Sequence, residues 1–237
     1  MALPVQQSPM YSVIIPSSNT EMKFRPFVVK EQKALMLAQQ SEDAEVMADT
    51  LKTIIKDCIK GELDVETLAI FDLEYIFSQI RAKSVGEEVD ISFRCGYCED
   101  EKAKVKITID LTKLEVERNP EHTNKFELFD DVGVVMKYPS MKTLEAIQTN
   151  SDDIDAMFKI MASCVDYIYD SDEIHHGHET SEEELIQFIE NLTQDQFAKI
   201  NSFFETMPSL TKHIEFNCPA CGEKNTTILK GIDDFFS

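Results

Sequence analysis

Ile91-Ser92-Phe93-Arg94-Cys95-Gly96-Tyr97-Cys98 and Ile214-Glu215-Phe216-Asn217-Cys218-Pro219-Ala220-Cys221 share one pattern, Ile-x-Phe-x-Cys-x-x-Cys. Apolar and polar residues alternate into the first cysteine of each, which is the period of a half-buried strand. A few polar residues and a second strand-like run follow each pair, at Lys104–Ile109 and Thr226–Leu229. Strand, tight turn with two thiols, return strand is the outline of a zinc knuckle. One knuckle supplies two ligands and a tetrahedral zinc site takes four. The two pairs therefore predict one site made by Cys95, Cys98, Cys218 and Cys221, holding one structural zinc per chain. Four thiolates leave no open coordination position for water, which points to structure rather than metal catalysis. The competing readings are four reduced thiols in two hairpin turns, or disulfides.

A contiguous zinc ribbon spaces its cysteine pairs by about 15–20 residues. Here 119 residues lie between Cys98 and Cys218. The matched lead-ins favour two halves of one discontinuous ribbon, at 87–110 and 211–231, which should lie side by side with strands and helices of 111–210 inserted between them. The expected fold class is α+β, mainly helical, with β-hairpins that include the two knuckles. The whole chain, 1–237, is read as a single domain whose residues 1–86 form an N-terminal hairpin and helices.

Composition bounds the function. Among 237 residues, 43% are apolar and 15 are Phe, enough for a sizeable core, and the net charge is −21. That charge opposes binding to nucleic acid or anionic lipid. No run of 18 apolar residues marks a membrane span, and Met1-Ala-Leu-Pro-Val-Gln-Gln7 lacks the basic and apolar regions of a signal peptide. Paired cysteines fit a reducing compartment better than a secreted disulfide scaffold, so a cytoplasmic location is expected.

Taken in order, residues 11–24 read as a hairpin turning at Pro16–Thr20. Helices are expected at about 29–40 and 44–60, the second closed by Gly61, and a third is capped by Asp72 and ends near Ser84. Strands follow at 126–129 and 132–137, with Gly133 as a bulge or turn residue, then a short helix at 141–147. Ile154, Met157, Phe158, Met161, Cys164, Val165 and Ile168 form a helical stripe. Ser181-x-x-Glu184 and Thr193-x-x-Gln196 are capping boxes that start two more helices.

Cys58 and Cys164 fall on apolar stripes and read as small core residues. His175, His176 and His178 lie on a polar loop and read as solvated, with metal binding there left open. Ile232, Phe235 and Phe236 stand close behind the second knuckle, where chain ends are usually polar. They either fold back on the ribbon or dock on a partner, so they are the candidate partner-binding residues. The chain lacks a phosphate-cradling glycine loop, a Gly-x-Ser-x-Gly elbow and a His-Glu-x-x-His helix. It reads as non-enzymatic, with no small-molecule substrate.

Two further stretches carry a resemblance. Met22-Lys-Phe24-Arg25-Pro26-Phe27-Val-Val-Lys30-Glu31-x-Lys33 and Phe71-Asp-Leu-Glu74-Tyr75-Ile76-Phe77-x-x-Ile80-Arg81-Ala-Lys83-Ser84-Val85-Gly86-Glu87 resemble the baseplate hub assembly proteins of T4-type contractile-tailed phages. The resemblance covers most of the chain and is densest over 11–110. It implies a non-enzymatic chaperone or minor component that helps build the central baseplate hub by binding hub or tape-measure proteins, in the host cytoplasm or retained in the virion. A second class stays open, an acidic zinc-ribbon adaptor whose surface mimics nucleic acid toward a host protein. Salt separates the two, because charge mimicry weakens with ionic strength and apolar docking does not.

Overall fold

The computed structural model describes residues 8–98, 100, 102–145 and 154–236. They mix helix and sheet, and the chain divides into two compact units. One takes Met1–Val65, Phe71–Glu117 and Ser209–Ser237; the other takes Glu66–Ile70 and Arg118–Pro208.

The first unit opens with β1 (Tyr11–Ile14) and β2 (Glu21–Phe24), paired antiparallel from Tyr11↔Phe24 to Ile14↔Glu21. Helices α1 (Val29–Ser41) and α2 (Ala44–Cys58) follow, and the Asp43 carboxylate caps α2 by accepting the Glu45 and Val46 N–H groups. The second helix was expected to reach residue 60. It stops at Cys58 because β3 (Ile59–Lys60) pairs with β2. Helix α3 (Ile70–Ser84) begins ahead of Asp72, which is therefore not its cap. Asp72 is a buried residue inside the helix, and its Oδ1 accepts the Ser17 N–H at 2.9 Å. Ile76, Ile80, Ile54, Ile55 and Phe24 are fully buried in this unit, each contributing on the order of 1.5–3 kcal/mol by leaving water.

Strands β4 (Glu88–Arg94) and β5 (Lys104–Asp110) make a two-stranded hairpin with Ile91 opposite Ile107. After a single 3-10 turn, β6 (Glu115–Glu117) ends this part of the unit.

The second unit is built on β7 (Lys125–Phe129), β8 (Val132–Met136), α4 (Met141–Glu145), α5 (Ile154–Ser163), β9 (Val165–Tyr169), β10 (Ile174–His176), α6 (Glu182–Glu190) and α7 (Gln194–Thr206). Its four strands run in the order β10-β9-β8-β7. The predicted helical stripe is cut at Ser163. Val165, Tyr167, Ile168 and Tyr169 are β-branched or aromatic, types that favour strands, and they pair with β8 instead. Gly133 faces Tyr169, and a Cβ there would come within 2.2 Å of the phenol oxygen. Glycine is required so that the ring can lie across the strand. Both capping boxes form: Ser181 Oγ accepts the Glu184 N–H, and Thr193 Oγ1 accepts that of Gln196. The expected helix at 141–147 is present over Met141–Glu145, and residues 146 and 147 lie outside the described ones. Val134, Met136, Cys164, Ile200 and Phe203 form the centre of this unit's core.

The chain re-enters the first unit through β11 (Ser209–Asn217), which pairs with β6 on one side and β12 (Lys224–Lys230) on the other. A last turn of helix, α8 (Asp233–Phe236), closes the chain.

Candidate metal centre

The two hairpins, β4–β5 and β11–β12, pack on each other within the first unit. Their contact is apolar: Ile91, Phe93 and Ile107 from one hairpin meet Ile214, Phe216 and Leu229 from the other, around Leu111, Leu114 and Leu210. This is the inward face of the alternation read in the sequence. It brings the two Cys-x-x-Cys turns together.

The turns are built alike. The Cys95 N–H donates to the Ala103 carbonyl and the Cys218 N–H to the Glu223 carbonyl, each at 2.9 Å. Cys95 Sγ accepts the Tyr97 N–H at 3.3 Å, and Cys218 Sγ accepts the Ala220 N–H at 3.4 Å. Thus each first cysteine receives the amide two residues on. Gly222, at φ +78°, gives the second turn the left-handed conformation that lets it donate back to the Cys218 carbonyl.

Across the turns, Cys95 Sγ and Cys221 Sγ are 3.7 Å apart, as are Cys98 Sγ and Cys218 Sγ. All four sulfurs lie within 4.8 Å of one another. Sulfurs at about 2.3 Å from a central ion stand about 3.8 Å apart in a regular tetrahedron, so the two cross-turn separations match a four-thiolate site. Cys95 and Cys218 are buried, at 6% and 3% exposure, whereas Cys98 is half-buried and Cys221 exposed.

The protonation pattern fits the same use. Burial pushes the Cys95 thiol up, but the bonds from Tyr97 and Asn225 outweigh it and bring it down to about 6. The Asp100 N–H favours the Cys98 thiolate, yet burial and the neighbouring sulfurs prevail and push it up to about 12. Cys218 is lowered by the Cys221 N–H against burial. Cys221 is raised by burial and the Cys218 thiol, against a bond from the Glu223 N–H. The raised Cys98 and Cys221 thiols oppose ionisation of all four sulfurs together, and a divalent cation held there would supply the charge that favours four thiolates. A tetrahedral set of soft sulfur ligands suits zinc or iron.

Cys58 and Cys164 are not members of this cluster. Each is buried, and burial raises its thiol pKa, to about 11 and about 12 respectively. Among the described residues the histidines join no group able to hold a metal. His175 Nε2 stands 3.3 Å from Asp170 Oδ2, and the His176 and His178 rings face each other at 5.3 Å.

Phe235 does not stand exposed. Phe235 is 1% exposed and packs with Ala82, Leu210 and Leu229, so its ring serves the core of its own unit. The Phe236 side chain lies outside the described residues. Ile232 is half-buried; its N–H donates to Glu74 Oε1 at 3.2 Å, and it lines a groove of about 690 Å³ with Leu35, Met36, Met47, Leu51 and Phe77. Nothing in the periodicity of the sequence marks this groove, because its walls come from α1, α2, α3, β4 and the segment of Ile232 and Phe235. Asn225 also went unread; it bonds the first turn from the second hairpin.

Residues 8–237 match a family model described as T4 bacteriophage base plate protein. No curated protein matches the chain, and no solved structure does.

Proposed function

The chain belongs to the T4 bacteriophage base plate protein family, and from that premise we propose that it is a non-enzymatic assembly factor of the tail, helping to build the central baseplate hub by binding hub or tape-measure subunits. The observation that carries this reading is the extent of the match, which takes in both cysteine turns and the whole segment between them. A structural zinc at Cys95, Cys98, Cys218 and Cys221, one per chain, is part of the proposal. Its support is the cross-turn spacing of 3.7 Å and a donor set with no position left for a reacting water. The two hairpins then act as one discontinuous zinc ribbon in a chain that works as a single assembly module.

The proposed partner surface is the apolar groove that Ile232 lines. Phe235 supports that surface from beneath by fixing the chain end in the core. The protein would act in the host cytoplasm and remain associated with the baseplate. A net charge of −21 favours one competing reading, an acidic adaptor that occupies a nucleic-acid site on a host protein.

Affinity capture of the tagged full chain from infected cells, washed at low and then high salt, tests both. Hub or tape-measure subunits retained through high salt are the expected result. Capture of a host polymerase or nuclease that is released by salt would overturn the assembly reading in favour of charge mimicry.

A further inference from the structure

The two Cys-x-x-Cys turns differ at the residue after the first cysteine. Gly96 in the first turn corresponds to Pro219 in the second, and proline has no N–H to satisfy. The Gly96 N–H needs an acceptor, and finds it on the other hairpin: Asn225 Oδ1, at 3.0 Å. Asn225 sits on β12, opposite Phe216, and is 7% exposed. A buried carboxamide costs free energy unless its donors and acceptor are used. Here they are. Nδ2 donates to Cys95 Sγ at 3.5 Å and to the Glu223 carbonyl at 3.0 Å. The orientation of the amide is fixed by chemistry, since Gly96 N–H can only donate and the Glu223 carbonyl can only accept.

We propose that Asn225 is the positioning residue of the metal centre: one carboxamide clamps the first turn to the second hairpin and aims an N–H at the Cys95 sulfur. This deepens the four-cysteine metal reading and rests on it. Two effects follow from the geometry. The clamp holds Cys95 at its distance from Cys218 and Cys221 before an ion arrives, so less ordering is left for binding to supply. A divalent ion with four thiolates also carries a net charge of −2, and an N–H dipole directed at a sulfur stabilises that charge. Outer partners of this kind commonly change metal affinity by about 10–100-fold when removed.

The test uses the full chain, with Zn²⁺ affinity measured by competition with a chromophoric chelator and Co²⁺ as a spectroscopic reporter. Asn225→Asp keeps an acceptor for Gly96 but loses the N–H to sulfur. Asn225→Ala loses both. Thr226→Ala, exposed on the same strand, is the control. Both Asn225 variants are expected to retain four-thiolate Co²⁺ spectra, to bind Zn²⁺ about 10–100-fold more weakly, and to shift the sulfur-to-cobalt charge-transfer band to lower energy. Only Asn225→Ala should speed hydrogen exchange at the Gly96 amide. If the wild type holds Zn²⁺ on four cysteines while both variants match it in affinity and band position, Asn225 is a packing residue and the inference fails alone. A wild type that takes up neither ion overturns the metal reading, and this inference with it. Should Asn225→Asp not fold, Asn225→Ala decides by affinity and band position.

Discussion

Phe93 and Phe216, each two residues ahead of a first cysteine, place their ring centroids 5.9 Å apart at an interplanar angle of 36°. The hairpins therefore meet through an aromatic pair as well as through the proposed ion. Such pairs contribute about 0.5–1.5 kcal/mol beyond the area they bury. The purified chain should carry one zinc, and a chelator should loosen only the turns. The expected signature is faster hydrogen exchange around 95–104 and 217–224, with the helical circular dichroism and the protection of α2 and α3 retained. Global unfolding on chelation would show that the apolar contact cannot stand without metal.

Thiol chemistry sorts the six cysteines independently. Burial holds the Cys58 and Cys164 thiols at about 11 and about 12, so almost no thiolate is present near neutral pH. With metal removed, iodoacetamide should label Cys95, brought down to about 6, and the lowered Cys218 first in the folded protein, and leave Cys58 and Cys164 until denaturant is added. With metal bound, the four clustered cysteines should be protected. Peptide mapping that finds Cys58 or Cys164 among the fast sites would contradict the core assignment.

The Arg25–Glu31 pair explains part of the family-like stretch at 22–33. Arg25 Nη2 lies 2.9 Å from Glu31 Oε1, and the Val28 N–H donates to Glu31 Oε2 at 2.8 Å. Glu31 is 4% exposed. Burial pushes its carboxyl up, but Arg25 and the Val28 amide outweigh burial and hold it below 4.5. A carboxylate with a depressed folded pKa contributes stability that is present above its ordinary pKa and lost as pH falls through the folded one. Glu31→Gln should cost about 2 kcal/mol at neutral pH, within the range of charge-assisted bonds. Urea unfolding at successively lower pH should show that gap closing only below 4.5. A gap unchanged in acid would mean that packing, not charge, carries the effect.

Truncating Phe235 tests its place in the core. The ring sits among Ala82, Leu210 and Leu229, and removing a buried Phe costs about 3–5 kcal/mol. Phe235→Ala should lower the thermal midpoint clearly while zinc content stays at one per chain. An unchanged midpoint would return Phe235 to the role of a surface anchor.

The cysteine cluster was legible because its members announce themselves twice at one spacing, each with the same lead-in. The clamp at Asn225 was not, since it depends on Gly96, 129 residues earlier, and on the missing N–H of Pro219. Val165–Tyr169 misled for another reason. Val165 and Ile168 continue the helical stripe of Met161, yet with Tyr167 and Tyr169 they also fill a strand, and only pairing with β8 decides between them. Asp72 looked like a cap because carboxylates favour helix starts, but its partner is the Ser17 amide, 55 residues away. In each case the deciding contact is long in sequence and invisible to local pattern.

Ser209 and Glu117 are direct antiparallel partners, with Leu210 opposite Val116 and Thr211 opposite Glu115. The segment 118–208 thus leaves and rejoins the first unit at neighbouring positions, about 4.5–5.5 Å apart. A two-residue Asn-Gly turn spans such a gap, and closing a short loop costs less entropy than closing a long one, about 0.6 kcal/mol for each doubling of length. Replacing 118–208 by Asn-Gly should leave a folded protein that binds one zinc with undiminished affinity, because all four cysteines, Phe93, Phe216 and Asn225 remain in the first unit. Metal content, chelator competition and the charge-transfer band of the Co²⁺ form are the measurements. If the shortened chain keeps its helical signal but holds no metal, the excised segment is needed to bring the two turns together, and the apolar contact between the hairpins is not sufficient.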